Sequence, residues 1–437
     1  MFLPALLFIA GAVFFIRLGR YVFSPRFFLS RLKERSPDGK SSLSSLWLAL
    51  GGTLGVGNIC GICAAIYVGG AGCVFWIWVC AFLSAATKYA ETVLAVHYRE
   101  KDSDGNAYGG APSYIRKALG LKALPKIFCI LCIFTAFTMG NVTQIKTASD
   151  FALYTMNIPR CVSASLFFAA VFLLTFGKGK LISAFTSKAV PILCILYTAL
   201  CAVNITVFRE NIAPVTRQIL SEAFSLRAGT GGILAFLSSP ALRLGITRGV
   251  MSNEAGCGSA PIAYAADKSA SPVRSGMLGI TEVLVDTLLL CTLTAYAVLT
   301  PQIPLSESSA KTVINVFSTV AGGVIAPLIA ASVAVFALAS ASAWAFYAIS
   351  SAKALGLGKR FFTFFSILYS ITAFFACFIN ENLVWTLADI SVSAMAVINT
   401  AALLLMLGKV KEITKESYAL FLSDNNYKKN ISCLKNR

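Results

Sequence analysis

The sequence predicts an all-α polytopic membrane protein with one extra N-terminal helix followed by two five-helix repeats, about eleven spans in all. Three observations predict it. Hydrophobic residues make up 57% of the chain and charged residues 13%, with a mean hydropathy of +0.76. Lys and Arg crowd onto alternate loops between the apolar stretches. Two apolar stretches, each opening one repeat, are broken by clustered glycines. Five spans are an odd number, so the second repeat must cross the membrane in the opposite sense to the first.

The opening stretch, 2–16, has no basic region before it and no small-residue cleavage site ahead of Arg17 and Arg20, so it reads as a retained span. A basic loop to residue 43 separates it from the first repeat, 44–208, with spans 44–67, 71–96, 127–151, 161–176 and 181–207. An outer loop, 209–230, leads to the second repeat, 231–407, with spans 231–266, 276–299, 323–352, 361–378 and 383–407. Residues 408–437 form a basic tail, solvated or on the membrane surface. Stretches of about 16 residues are short for a span and can draw on their flanks.

The formal charge of +18 would suit a nucleic-acid binder, but its placement assigns it to topology. One side collects Arg20, Arg26, Arg31, Lys33, Arg35 and Lys40, the loop 99–126, Lys178, Lys180 and Lys188, then Lys268, Arg274, Lys353, Lys359, Arg360 and the tail. The other side holds Arg160, Arg209, Arg217, Arg227 and Lys311. By the positive-inside rule the N-terminus lies outside and the C-terminus in the cytoplasm, as expected of a multi-pass protein of the plasma (cell inner) membrane.

Several features read as structural. The thirteen cysteines include two C-x-x-C spacings, Cys60/Cys63 and Cys129/Cys132, inside apolar helices with no His or acidic neighbour; these are packing residues, not a redox or zinc site. Lys88 and Glu91, three apart, form an intrahelical pair. Asp102, Asp104 and Gly105 carry part of a calcium-loop pattern without its other ligands and mark a connector. Pro191 predicts a kink in the sixth span. No metal set, His-based dyad or nucleophile–base pair marks an enzyme, and no organic cofactor is expected.

The two interruptions carry the function. Glycine recurs at 51, 52, 55, 57 and 61, and each costs about 1 kcal/mol in a helix interior relative to alanine. The second interruption is 252–259, SNEAGCGS. In lipid, opened backbone is tolerated only where protein or a polar cavity satisfies it, so paired breaks in two halves point to a transporter's central site. Two inverted five-span repeats opening on such breaks are the plan of the leucine-transporter-like fold.

The residues around these breaks resemble a known family. TLGVGNICG at 53–61, GGAGCVFW at 69–76, ATKYAE at 86–91, GGAPSY at 109–114, RGVMSNEAGCGSAP at 248–261, Asp286-Thr287 and Cys291-Thr292 are similar to the alanine/glycine:cation symporters. The resemblance runs from about Phe2 to Leu407 and leaves out the tail. It implies a core of ten helices plus one, and cotransport of a small neutral amino acid with sodium or protons. Its partners are then that amino acid, the coupling cation and membrane lipid, with no nucleic acid.

The residue chemistry supplies seats for a zwitterion. Unwinding at Gly55–Gly57 exposes N–H groups at a partly positive helix start, which assigns Val56, Gly57 and Asn58 to the carboxylate. Ser252 and Asn253 offer oxygens to the ammonium group. Glu254 either serves a helix dipole, with Asn253 as N-cap, or touches substrate. The resemblance further implies Gln144 as a polar contact, and Ser340 with Trp344 on one helical face. Trp344 either caps the side-chain end of the pocket or packs. For sodium the resemblance implies the carbonyls of Gly51 and Leu54 with two adjacent hydroxyls, which here read Ala339 and Ser340, so one is missing. Lys146 stands where the family pattern has Asn, either snorkelling to the outer face or coupling transport to protons. Sodium leads proton as the expected ion. A substrate-gated channel or sensor on the same fold is the alternative.

Overall fold

A computed structural model describes residues 2–34, 43–102, 105–176, 178–224, 239–269, 271–321 and 325–435 of the chain. The chain forms a helical bundle. Its first helix, α1 (Phe2–Val22), is followed by α2 (Pro25–Leu32), which starts on a proline whose missing N–H is no loss at a helix start. The first repeat contains α3 (Ser44–Thr53), a short turn Val56–Asn58, α4 (Cys60–Gly69) and α5 (Cys73–His97). Then come α6 (Ala111–Leu119), α7 (Ala123–Thr135), α8 (Thr143–Met156), α9 (Arg160–Phe176) and α10 (Lys178–Val207). Helix α11 (Ile212–Ala223) lies in the expected outer loop. The second repeat contains α12 (Pro240–Asn253), α13 (Pro261–Ala265), α14 (Pro272–Val283), α15 (Thr292–Leu299), α16 (Ser309–Ala321), α17 (Ile325–Ala354), α18 (Lys359–Ala376) and α19 (Glu381–Leu405). The tail is α20 (Leu407–Lys435).

Among the described residues seven helices are long and apolar enough to cross a membrane, with α7–α8 and α14–α15 counted as one each; α3 and its continuation Val56–Gly69, bent by 59°, make an eighth span if counted as one. The expected spans 161–176 and 361–378 correspond to α9 and α18. The expected span 231–266 corresponds to α12 and α13, and residues 231–238 lie outside the described residues, as do 323 and 324 at the start of the ninth. Helix α10 runs on through Pro191. Two spans carry π turns that composition does not reveal: Ala136–Val142 joins α7 to α8, and Leu284–Cys291 joins α14 to α15.

Helix α17 packs against several other helices. Its face of Ala337, Ala339, Ser340, Ala341, Ala345 and Ala348 is buried, and small residues let α3, α7, α8 and α10 approach its backbone closely. Large apolar side chains face outward on α9, α10, α18 and α19, including Leu166, Leu173, Ile195, Phe364 and Ile390, as a lipid-facing wall requires. Glu222 of α11 accepts hydrogen bonds from the N–H groups of Ala71 (2.7 Å) and Gly72 (3.4 Å), capping the start of α5. The tail packs against the bundle through Thr414, Tyr418 and Phe421. Tyr418 meets Phe27 edge-on at 5.0 Å, and Thr414 is 3.0 Å from the Tyr89 hydroxyl. The 99–126 connector is pinned by Asp102, which accepts from the Asn106 N–H (2.7 Å) and pairs with Lys353 (3.3 Å). Asp104 lies outside the described residues.

Candidate functional site

The first break opens because its N–H groups turn away from the helix. In a continuous helix the N–H groups of Gly55, Val56 and Asn58 would bond the carbonyls of Gly51, Gly52 and Leu54. Instead Gly55 donates to Asn58 Oδ1 (3.2 Å), Val56 to Gln144 Oε1 (3.0 Å) and Asn58 to Gly55 O (3.3 Å). The carbonyls of Gly51 and Leu54 are thereby released from their helical partners, and that of Gly52 accepts from Ser340 Oγ (3.2 Å). Glycine at 55 lets Gln144 come close, since a Cβ there would sit 2.5 Å from Oε1. Gly57 is different. A Cβ built on it meets nothing within 4 Å, so this backbone faces open space. A cavity of about 10 Å³, room for about one water, lies beside the break between Leu54, Asn58, Tyr197, Leu290 and Phe336. A larger one, about 490 Å³, lies apart from both breaks at the basic end of α1.

Asn58 ties this break to the second repeat. Its Nδ2 donates to Ser252 Oγ (3.0 Å) and Asp286 Oδ1 (2.8 Å). Asp286 Oδ2 also accepts from Ser252 Oγ (2.6 Å) and Thr287 Oγ1 (2.8 Å). Asp286 sits in the π turn between α14 and α15, is fully buried, and has no Lys or Arg within ion-pair distance among the described residues. The sequence reading left this carboxylate without a role, although an acid inside an apolar span is a functional candidate by default.

The second break lies between Asn253, the last residue of α12, and Pro261, the first of α13. Asn253 is not the N-cap that its sequence context suggests. Asn253 is at the C-terminal end of its helix, where Nδ2 bonds Gly249 O (2.8 Å) and Thr287 Oγ1 (3.1 Å) and Oδ1 accepts from the Ala255 N–H (3.0 Å). Glu254 follows in the left-handed conformation, φ 53°, with its side chain buried. Glu91 of α5 spans the break, its Oε2 accepting from the N–H groups of Gly256 (3.1 Å) and Gly258 (3.2 Å) and from Asn399 Nδ2 (3.0 Å). Lys88 lies 3.4 Å from Glu91 and 3.4 Å from Glu282, so the expected intrahelical pair is a three-membered cluster, wholly buried.

Trp344 is buried against Gly140, where a Cβ would come within 2.3 Å of it, and its indole N–H has no hydrogen-bond partner. Lys146 is buried and bonded to Asp150, which Arg160 also approaches at 3.4 Å. It lies two residues from Gln144, on a different face of α8, because successive helical residues are about 100° apart.

Comparison with known proteins sets this arrangement in a family. The model of the sodium:alanine symporter family matches residues 1–430. The chain belongs to the sodium:alanine symporter family. The sodium/alanine symporter AgcS of Methanococcus maripaludis is 32% identical over 92% of this chain and 89% of its own. An uncharacterized transporter of Haemophilus influenzae is 34% identical over 97% and 95%. The crystal structure of MhsT in complex with L-phenylalanine superposes with a TM-score of 0.60 at 13% identity, covering 86% of this chain and 90% of that one, which shows a shared fold. The leucine-transporter-like class expected from the sequence is therefore the fold of this family member, a cation-coupled amino acid transporter of the membrane.

Proposed function

We propose that this family member imports a small neutral amino acid, alanine or glycine, with sodium ahead of proton as its coupling ion, by alternating access. The observation that carries the reading is Gly57, a backbone facing open space at a break whose carbonyls have been turned out of the helix. The substrate carboxylate takes the N–H groups of Val56, Gly57 and Asn58. Gln144 Oε1 already accepts from Val56, so its carboxamide marks where a carboxylate oxygen would sit and must yield it on binding. The ammonium group is directed to Ser252, with the Asp286 carboxylate behind that hydroxyl supplying the opposite charge. Asn253 supports this seat by holding the end of α12 to Thr287. Trp344, with its unpaired N–H, closes the side-chain end.

For sodium, the carbonyls of Gly51 and Leu54 with Ser340 Oγ supply three oxygens, and water completes the shell because Ala339 has no hydroxyl. Lys146 is held by Asp150 and serves as a structural pair. The domain division is 1–43, 44–208, 209–230, 231–407 and 408–437, with the N-terminus outside and the basic face in the cytoplasm of the plasma (cell inner) membrane. The test is labelled alanine uptake into proteoliposomes. Accumulation above equilibrium under a sodium gradient, lost when choline replaces sodium, is expected. Equilibration without accumulation would mean a channel, and full sodium-free uptake following an imposed pH gradient would overturn sodium.

A further inference from the structure

The second break carries an excess of buried acid that substrate binding does not explain. Glu91, Glu282 and Glu254 are all within 1% of complete burial, against one equally buried cation, Lys88. Their partners are unequal. Glu91 has two peptide N–H donors and an amide besides Lys88, and Glu282 has Lys88 at 3.4 Å and the Tyr264 hydroxyl at 2.8 Å. Glu254 has one donor, the Ser259 hydroxyl on Oε2, and its Oε1 has no partner. It also caps the C-terminal end of α12, where the helix dipole is negative and opposes an anion. An ionised carboxylate there would be desolvated with a bare oxygen, a cost of several kcal/mol, whereas a neutral carboxyl leaves only a weak acceptor unpaired. Its left-handed backbone is one that glycine adopts without strain, so a long acid persists there against local preference.

We infer that Glu254 is an uncharged, proton-bearing acid of the membrane interior, and that it releases its proton when the second break opens to water. The inference rests on the symport reading only for its second half. The titratable and charged groups close enough for their charge to act on Glu254, or its charge on them, are Lys88 on α5, Glu282 on α14, Asp286 in the π turn, Cys257 within the break, Cys132 on α7 and Tyr347 on α17. Lys88 is the cation among them, and it is placed against Glu91 and Glu282. With Glu254 neutral the break packs closed. Once water reaches it, the proton passes from the carboxyl to water and the resulting carboxylate disfavours reclosure. Alkaline pH on the side to which this break opens should therefore slow the return step.

Infrared spectroscopy of the alanine-free protein at neutral pH tests the first half independently of transport. The difference between wild type and Glu254→Gln should show loss of a protonated-carboxyl C=O band. Loss of an ionised-carboxylate band instead would overturn the inference. If Glu254→Gln does not fold, Ser259→Ala serves: a neutral acid keeps its band, shifted by loss of the hydroxyl, while absence of any shifted acid band would overturn it. The second half is read from sodium-driven net alanine uptake against pH on each side of the membrane. Wild type should slow severalfold at alkaline pH on one side, and Glu254→Gln should be flat there. Equal pH profiles for the two proteins would sink the proton release, and sodium-dependent accumulation in the same vesicles reports the symport reading separately.

Discussion

The two breaks occupy corresponding places in the two repeats, yet they are built from opposite materials. In the first, the freed peptide N–H groups are taken up by the neutral side chains of Asn58 and Gln144, and at Gly57 it leaves space that no side chain fills. The second is held by charge, through Glu91, and its glycines are enclosed: a Cβ on Gly256 would meet Leu7 and Thr400 at 2.9 Å, and one on Gly258 would meet Asn399 and Phe128 at 3.0 Å. Glycine alone therefore does not mark a binding backbone. Gly57 faces open space, whereas Gly55, Gly256 and Gly258 let the protein's own groups come close.

Removing the charge that holds the second break should have the largest effect. Glu91→Ala strips the acceptor from two peptide N–H groups and Asn399 and leaves Lys88 with Glu282 alone, an expected loss of about 3–5 kcal/mol. Thermal unfolding in detergent should show a large drop in Tm; a wild-type Tm would mean that the second break is held otherwise. Next comes the contrast between Gly57→Val and Gly258→Val. The first should insert and fold normally while alanine affinity falls at least about a hundredfold, near 2.7 kcal/mol. The second, at φ 77° and in contact with Asn399, should lose stability. Wild-type alanine affinity in Gly57→Val would erase the difference between the breaks.

Smaller effects sharpen the first break. Trp344→Ala should let serine and valine compete for alanine uptake, at a severalfold lower inhibitory concentration than in wild type. An unchanged substrate profile would return Trp344 to packing. Lys146→Asn leaves the buried Asp150 with Arg160 alone at 3.4 Å and should lower Tm, while the pH profile of sodium-driven uptake by the folded protein stays that of wild type. A lost pH response in that variant would revive Lys146 as a coupling group.

Much of this was legible in the sequence, and what escaped has physical causes. Apolar length located the helices long enough to cross a membrane and the bent pair at α3, and clustered glycines located both breaks. The π turns escaped because an extra residue per turn leaves composition unchanged. The polarity of Asn253 was misread although Pro261, a residue suited to a helix start, marked where the next helix begins. Pairing over distance was not legible at all. Nothing local announces that Gln144 meets Val56 or that Glu91 meets Gly256, and the i, i+3 rule correctly saw Lys88 with Glu91 while missing Glu282.

Asn58 also has a consequence for biosynthesis. Its side-chain partners Ser252 and Asp286 are made 194 and 228 residues after it, and Asn399, which meets Glu91, follows that acid by 308. When the first repeat leaves the ribosome, its opened peptide groups and its buried acid enter the bilayer before their partners exist. The first repeat must therefore wait in the membrane unfinished, its polar groups covered by water or by the insertion machinery, until nearly the whole chain has been translated.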